Sequence, residues 1–321
     1  MKKIKVAFAD AWAGFEKPII EILQKRYQVE ISDNPDFLIY SFAGKSYKKY
    51  KNCVKIFFSY ENILPNFNEC DYALGLHDMS FGKRYKRIAY EVTSKDTSAS
   101  NIPSNTLTLE DLQGRRFCNF VYSNSTLGKG SAFRMELCKR LMEYKHVDCP
   151  GRVLNNMSIS DAGLARPKQG HWNWEKQKVD LLKQYKFTIA IENQFSENGY
   201  WTEKIMHPFI SKSIPIYSGS STVGEVFNTK AFINCHDYDN DIDKIIKRII
   251  EIDTNDDLYL EMVNAKPVLP DSYLWTLQED VEGFLFDIFE KGVQPFEKRI
   301  VVRRNIFKKV IRRMKRILKG K

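Results

Sequence analysis

The 321-residue chain has no run of about 18 apolar residues, so its sequence offers no candidate transmembrane helix. The opening stretch, Met1-Lys2-Lys3-Ile4-Lys5-Val6-Ala7-Phe8-Ala9-Asp10, is charged at the front, and its apolar run is too short for a signal peptide. It reads instead as a first β-strand. CxxC pairs are missing too: Cys53, Cys70, Cys118, Cys138, Cys149 and Cys235 are scattered singly. That excludes a dense disulfide framework and fits reduced thiols in a cytoplasmic protein. His77, His146, His171, His207 and His236 make neither HxxxH nor HExxH, so no zinc site is expected and each histidine reads as structural. Neither GxGxxG nor GxxxxGK[ST] occurs. Internal repeats and low-complexity segments are also lacking.

What is present is a well-stocked core. Hydrophobic residues make up 43% and aromatics 13%, which excludes a disordered or fibrous chain, and the length suggests about two domains. The net charge of +10 is uneven. Residues 298–321 hold 12 basic side chains and no acidic one, whereas the first 297 hold 38 basic and 40 acidic, a net of −2. A near-neutral body disfavours a basic nucleic-acid surface, and no nucleic-acid partner is expected. In the tail, Ile306, Phe307, Val310, Ile311, Met314, Ile317 and Leu318 recur at helical spacing. Lysine and arginine fill the rest of the circumference. This is the pattern of a helix lying on an anionic membrane, where each basic residue contributes about 1 kcal/mol. A solvated basic tail or one that docks on RNA is the alternative.

Strand and helix patterns alternate along the body. Residues 4–9, 37–41, 54–59 and 71–75 read as strands and 17–26 as a helix with Pro18 in its first turn. A Ser/Thr/Asn-rich stretch at 93–114 breaks the pattern and is read as the inter-domain linker. A second alternation follows, with strands at 116–123, 187–192, 214–217 and 232–234. Helices are expected at 131–144, 202–211 and 241–252, the last capped by Asp239, Asn240 or Asp241. This predicts two Rossmann-like parallel sheets facing a cleft. The expected domains are residues 1–112 and 113–275, followed by a helical segment at 276–297 and the basic tail at 298–321.

Two segments could bring chemistry to such a cleft. Gly128-Lys129-Gly130-Ser131 lies between a strand and a helix, where free N–H groups could meet phosphate. Arg134, on the expected first turn, could reach the same anion; the bland alternative is a geometric glycine turn and a surface arginine. Stronger is the succession Phe187-Thr188-Ile189-Ala190-Ile191-Glu192-Asn193, Gly199-Tyr200-Trp201-Thr202-Glu203-Lys204-Ile205 and Ile214-Pro215-Ile216-Tyr217-Ser218-Gly219-Ser220. Thr202 can cap the helix, which leaves Glu203 and Lys204 in its first turn at a strand's carboxyl end. A carboxylate suits sugar hydroxyls and a lysine suits phosphate; the alternative is a capping acid and a surface lysine.

This block resembles the signature of the family-10 α-1,3/4-fucosyltransferases, roughly Phe-Glu-Asn, a polar loop, Tyr-x-Thr-Glu-Lys, a helix and Pro-x-x-x-Gly. Ile191 departs from the usual Phe and Trp201 from the usual Val. Upstream, Phe58-Ser59-Tyr60-Glu61-Asn62 with Pro65-Asn66-Phe67 and Cys70-Asp71-Tyr72-Ala73-Leu74-Gly75 is similar to the family's acceptor block. Phe120-Val121-Tyr122-Ser123-Asn124 with Arg134 is similar to the start of its donor domain. The basic tail also resembles bacterial members, without the heptad repeats some of them carry.

The resemblance implies an α/β GT-B fold and an inverting transfer of L-fucose from GDP-β-L-fucose. The acceptor would be a GlcNAc or Glc hydroxyl of a lactosamine-type glycan, in α-1,3 or α-1,4 linkage, in lipopolysaccharide or glycoconjugate synthesis. It implies Glu61 as catalytic base and Arg134, Asn193, Tyr200, Glu203 and Lys204 around the donor, with no required cofactor; a divalent cation could still stimulate. Location is expected at the inner membrane face, on the cytoplasmic side. Asp237-Tyr238-Asp239 and Asp239-Asn240-Asp241 match a DxD metal pattern, but they precede a helix, where Asp is expected as a cap, so no metal ligands are assigned. A GT-B enzyme with another nucleotide sugar, or a membrane-associated glycan-binding protein without catalysis, are the competing readings.

Overall fold

The computed structural model describes residues 1–12, 14–92, 97–126, 128–165, 174–196 and 199–295. The basic tail, with its expected interfacial helix, lies outside them. None of the described helices is long and apolar enough to cross a membrane.

Short apolar runs build the centre of a first sheet. Its strands are β1 (Lys2–Ala9), β2 (Tyr27–Ile31), β3 (Phe37–Tyr40), β4 (Val54–Phe58), β5 (Tyr72–Gly75) and β6 (Tyr85–Arg87). They lie in the order β2-β1-β3-β4-β5-β6, with parallel registers such as Val6 opposite Phe37 and Ile56 opposite Tyr72. Every residue of β3 and β4 is buried, as parallel strands covered on both faces require. Helix α1 (Glu16–Gln24) lays Ile19, Ile22 and Leu23 on this sheet. Strand β2 was not anticipated. It is an edge strand in which polar Gln28 and Glu30 interrupt the apolar signal.

A second parallel sheet comprises β7 (Arg116–Asn119), β8 (Val147–Asp148), β9 (Tyr185–Ser196), β10 (Ile214–Ser220) and β11 (Ile233–Asn234), in the order β11-β10-β9-β7-β8. Around it lie α2 (Gly128–Met142), α3 (Trp174–Leu182), α4 (Glu203–Ile210), α5 (Ile242–Asp253) and α6 (Asp256–Asn264). Strand β9 is longer than its sequence suggested. It runs 12 residues and so carries Asn193, as well as the expected Glu192, as a strand residue. Strand β7 is shorter than expected and ends at Asn119, whose side-chain amide donates to the Phe187 carbonyl and the Thr188 hydroxyl at 3.1 and 2.9 Å. Asp241 caps α5 by accepting from the Asp243 and Lys244 amides. Asp239 and Asn240 sit at φ 55° and 56°, which removes them as caps.

Between β6 and β7 the described residues form no strand, only loops and short 3₁₀ turns. The end of this stretch is pinned to α6, where the Asn264 side chain exchanges both hydrogen bonds with the Leu107 backbone at 2.8 and 2.9 Å. The last helix, α7 (Leu277–Glu290), returns to the first sheet. Phe289 stacks on Phe37 at 4.1 Å and meets Tyr27 at 5.9 Å. The Arg26 guanidinium lies 4.0 Å over Phe286, and Lys25 pairs with Glu282.

The carboxyl edges of the two sheets meet. Asn62, just past β4, donates its amide to Gln194 of β9 at 2.7 Å, and Arg87 at the end of β6 donates to the Gly199 carbonyl at 3.2 Å. Because Phe289 is fully buried against the opposite half of the chain, Phe289→Ala should cost about 3–5 kcal/mol of unfolding free energy. A urea titration followed by tryptophan fluorescence checks this; an unchanged midpoint would mean α7 contributes nothing to the first sheet.

Candidate active site

The site grows from the end of β9. Glu192 is wholly buried there. Its carboxylate accepts the Thr202 amide at 2.8 Å and the Thr202 hydroxyl at 2.8 and 2.9 Å. Thr202 is at the same time the N-cap of α4, accepting from the Lys204 amide. The expected cap is thus in place, and it is bolted to a buried strand carboxylate. Lys204 Nζ lies 3.3 Å from Glu192, 3.2 Å from Glu203 and 3.1 Å from the Thr202 hydroxyl.

The charges at this node lock one another. Burial pushes the Glu192 carboxyl upward, opposed first by Lys204. Burial also works against the Lys204 ammonium, but Glu192 and Glu203 outweigh it and hold its pKa well above the usual lysine range. For Glu203, burial is overcome by the Lys204 charge and then by that of Lys178, and its carboxyl is held down to about 2. One turn into α4, His207 has neither ring nitrogen hydrogen-bonded. Burial, then the Lys178 charge, push it down to about 3, so the ring is neutral.

Arg134 lies in the second turn of α2, since the helix starts at Gly128, earlier than its sequence suggested. It is not a surface residue: it is fully buried. Its guanidinium lies 4.0 Å over the Tyr122 ring and donates to Asn193 Oδ1 at 2.8 Å, the Asn124 carbonyl at 2.6 Å and the Ile191 carbonyl at 3.3 Å. Arg134 therefore fixes Asn193, another of the expected residues. The neighbouring glycines have a packing reason. A Cβ at Gly130 would come within 2.0 Å of the Glu192 carbonyl oxygen, and one at Gly128 within 2.4 Å of that of Asn193. They let α2 press directly on β9.

Tyr200 is buried beside this node, its hydroxyl pKa raised by burial and then by Glu192. Glu61 comes from the other sheet, two residues past Ser59, whose hydroxyl accepts the Glu61 amide at 3.1 Å. The residue is exposed. Protein crowding still raises its pKa, Lys204 lowers it, and Glu203 and Glu192 raise it further. All six expected residues thus lie at the junction of the two sheets, in three groups: Arg134 with Asn193, Tyr200 with Glu203 and Lys204, and Glu61 beside the Asn62–Gln194 bridge.

The sequence reading missed some supports. Glu192 had no assigned role, although it stands beside Asn193 in the motif. Lys178 of α3 lines a small cavity with Lys204, Asn119, Tyr122 and Thr188, its pKa lowered by burial. Asn62 Oδ1 accepts from Nε2 of the buried His77 ring at 2.7 Å, while its amide nitrogen bridges to Gln194. The aspartates after β11 have local duties: Asp241 caps α5, and Asp237 accepts from Asn234 at 2.7 Å.

Two family models fit this architecture. The α-(1,3)-fucosyltransferase FucT N-terminal domain matches residues 6–92, and the C-terminal domain of glycosyltransferase family 10 (fucosyltransferase) matches 115–269. The chain belongs to glycosyltransferase family 10. An α-(1,3)-fucosyltransferase FucT of Helicobacter pylori is 29% identical over 308 residues, which cover 83% of this chain and 60% of that protein. α-(1,3)-Fucosyltransferase B of Drosophila melanogaster is 33% identical over 108 residues, 33% of this chain and 24% of that one. The matched part of this chain therefore spans less than two thirds of either relative. A crystal structure of an α1,3-fucosyltransferase superposes with a TM-score of 0.74 at 25% identity, covering 94% of this chain and 93% of that one. One with GDP-fucose gives 0.70 at 25% identity, covering 90% and 91%. The GT-B expectation is met. The two departures from the family motif both face the core: Ile191 is fully buried, and Trp201 packs edge-on to Phe227 at 4.9 Å. They leave the polar positions intact.

The buried node carries a stability prediction. Glu192→Gln keeps the shape but strips the charge facing Lys204, and should cost about 3 kcal/mol. Urea unfolding at neutral pH checks this, with half-exposed Glu203→Gln as the milder comparison. Equal, small losses in both would mean the buried carboxylate is not the anchor.

Proposed function

We propose that this protein is an inverting fucosyltransferase that moves L-fucose from GDP-β-L-fucose to a GlcNAc or Glc hydroxyl of a lactosamine-type glycan, in α-1,3 linkage. The observation that carries this reading is the junction of the two sheets: the Asn62 amide reaches Gln194 at 2.7 Å, which brings the exposed Glu61 next to it to the strand end whose Glu192 holds Lys204 at 3.3 Å. The relatives' names supply the donor and the linkage.

The chemistry follows from these groups. The Glu61 carboxylate takes the proton of the acceptor hydroxyl. The hydroxyl oxygen attacks the anomeric carbon on the face opposite the nucleotide. The carbon–oxygen bond to the diphosphate breaks, and its electron pair leaves with GDP. The Lys204 ammonium meets the growing negative charge; its own carboxylate partners hold it in place, so it need not reorganise during the step. Arg134 holds Asn193 against the donor and adds positive field from below. Glu203, half-buried with one oxygen on Lys204, offers the other to ribose hydroxyls. Tyr200 completes the donor wall. In this scheme the protein's own cations carry the electrostatic load, and a divalent ion is at most stimulatory.

The test is GDP release with purified protein, GDP-fucose and N-acetyllactosamine. Glu61→Gln should lower kcat/KM by about 10²–10⁴-fold with GDP-fucose affinity retained. Lys204→Ala should weaken donor binding and lower kcat by about 10²–10³-fold. A glycan-binding protein without catalysis would release no GDP in any of the three; a transferase for another nucleotide sugar would ignore GDP-fucose.

A base works only when ionised, and the Glu61 pKa lies above the ordinary carboxylate value. The activity should therefore fall as the pH drops through that raised pKa, earlier than for a free glutamate, and Glu61→Gln should flatten this acid limb in the residual rate. A wild-type limb at or below the usual glutamate range would count against Glu61 as base.

The basic tail extends the proposal to place. Residues 298–321 would hold the enzyme on an anionic cytoplasmic membrane face, where lipid-linked glycan precursors such as those of lipopolysaccharide are built. The full chain should sediment with phosphatidylglycerol vesicles at low salt and be released as salt rises. Equal recovery with neutral phosphatidylcholine vesicles would sink the membrane reading.

A further inference from the structure

Two large aromatic side chains stand exposed at the carboxyl edge of the first sheet, in a position the reaction scheme leaves unused. Trp12, just past β1, is 39% exposed, and Phe42, just past β3, is 38% exposed. They lie edge to face with ring centres 5.9 Å apart. Behind Trp12 stand two buried rings, Phe15 at 6.1 Å and Tyr60 at 6.4 Å. Tyr60 is the residue bonded to Glu61. The pair is thus one ring contact in space, and one residue along the chain, from the proposed base.

The platform is held rigidly. Asp10 takes up a left-handed conformation, φ 56°, which an aspartate adopts only at a cost. In return it pins the loop that carries Phe42. Its backbone carbonyl accepts the Ala43 amide at 2.8 Å. Its carboxylate accepts the Ser46 amide, the Ser46 hydroxyl and the Tyr47 amide at 2.9, 2.7 and 2.7 Å. Gly44 has no room for a Cβ, which would fall 2.5 Å from Asp10 Oδ1. Tyr47 then stacks on Tyr40 at 4.3 Å, fastening the far end of the loop to β3.

Other exposed aromatics differ. Phe81 is stacked on Phe67 at 4.0 Å, and the Arg84 guanidinium lies 5.2 Å from its ring centre. Trp275 spends its indole N–H on the Leu269 carbonyl at 2.8 Å. Neither stands at a strand end beside Glu61. Two rings also offer far less area than the roughly 800 Å² per partner of a stable protein interface. Their size suits one or two pyranose rings, whose C–H faces are apolar while the hydroxyl rims stay free for water or for a carboxylate.

We propose that Trp12 and Phe42 form the stacking platform on which the acceptor glycan lies, holding its sugar rings so that the reacting hydroxyl points at Glu61. This rests on the fucosyl-transfer reading above and names the acceptor subsite of that same cleft. The two side chains would set acceptor affinity without touching the nucleotide.

The experiment compares wild type with Trp12→Ala, Phe42→Ala and the conservative Trp12→Phe. Three quantities are read: the KM for N-acetyllactosamine, the Kd for GDP-fucose, and the slow hydrolysis of GDP-fucose without acceptor. Each alanine variant should raise the acceptor KM about tenfold, the worth of one half-buried ring. Trp12→Phe should recover part of that loss, and the GDP-fucose Kd and hydrolysis should stay at the wild-type level. An unchanged acceptor KM overturns the platform, as does a matching loss of GDP-fucose affinity, which would mark Trp12 as a structural support of the whole cleft. Wild type that binds GDP-fucose but ignores N-acetyllactosamine also overturns it. If wild type does not bind GDP-fucose at all, the underlying donor reading fails first, and that result is distinct from the others.

Discussion

One buried carboxylate organises the second half of this protein. Glu192 sits at the carboxyl end of the central strand of its sheet, removed from water, and its charge must be answered locally. Three partners answer it: the Thr202 amide, the Thr202 hydroxyl and the Lys204 ammonium. Through Thr202 it fixes where α4 begins. Through Lys204 it fixes where a cation stands in the cleft. Its backbone carbonyl in turn accepts the close approach of α2, which only glycine at position 130 permits. Strand end, helix start and charge placement are therefore one constraint met three ways.

The arrangement gives the cleft its electrostatic asymmetry. On the second-sheet side, Lys204 is held charged by two carboxylates and Arg134 is buried against Tyr122 and Asn193. The positive groups there are fixed before any ligand arrives. On the first-sheet side, Glu61 is exposed, its amide donating to the Ser59 hydroxyl and its carbonyl accepting the Ile63 amide. Under the proposed transfer, that contrast would give a preorganised donor side and a reachable base, as a displacement across two domains requires. The last helix, which returns to clamp the first sheet through Phe289, and the Asn62–Gln194 bridge keep the two sides in one register.

Much of this was legible in the chain. Buried parallel strands announce themselves as short unbroken apolar runs, so β1, β3, β4, β5 and β10 were found, and the Thr202 cap followed from a Thr ahead of Glu-Lys. Edge and short strands were not: β2 carries polar residues at alternate positions, and β8 has only two residues. The candidate residues were found as types in a motif, yet their duties were not visible. Arg134 reads in sequence as a residue for phosphate or for water, and only its burial shows that it holds Asn193. His207 looks like any helical histidine until burial and the nearby lysines keep it neutral.

The sequence by itself determined the family, the two parallel sheets and the identity of the polar groups, because those depend on local periodicity and on a motif of contiguous residues. The tertiary structure alone decided which of those groups meet. Glu61 and Lys204 are more than a hundred residues apart, and Trp12, Phe42 and Tyr60 follow three different strands. Only the parallel alignment of strand ends brings them to one edge, and only burial determines which charges must pair there and which stay free to act.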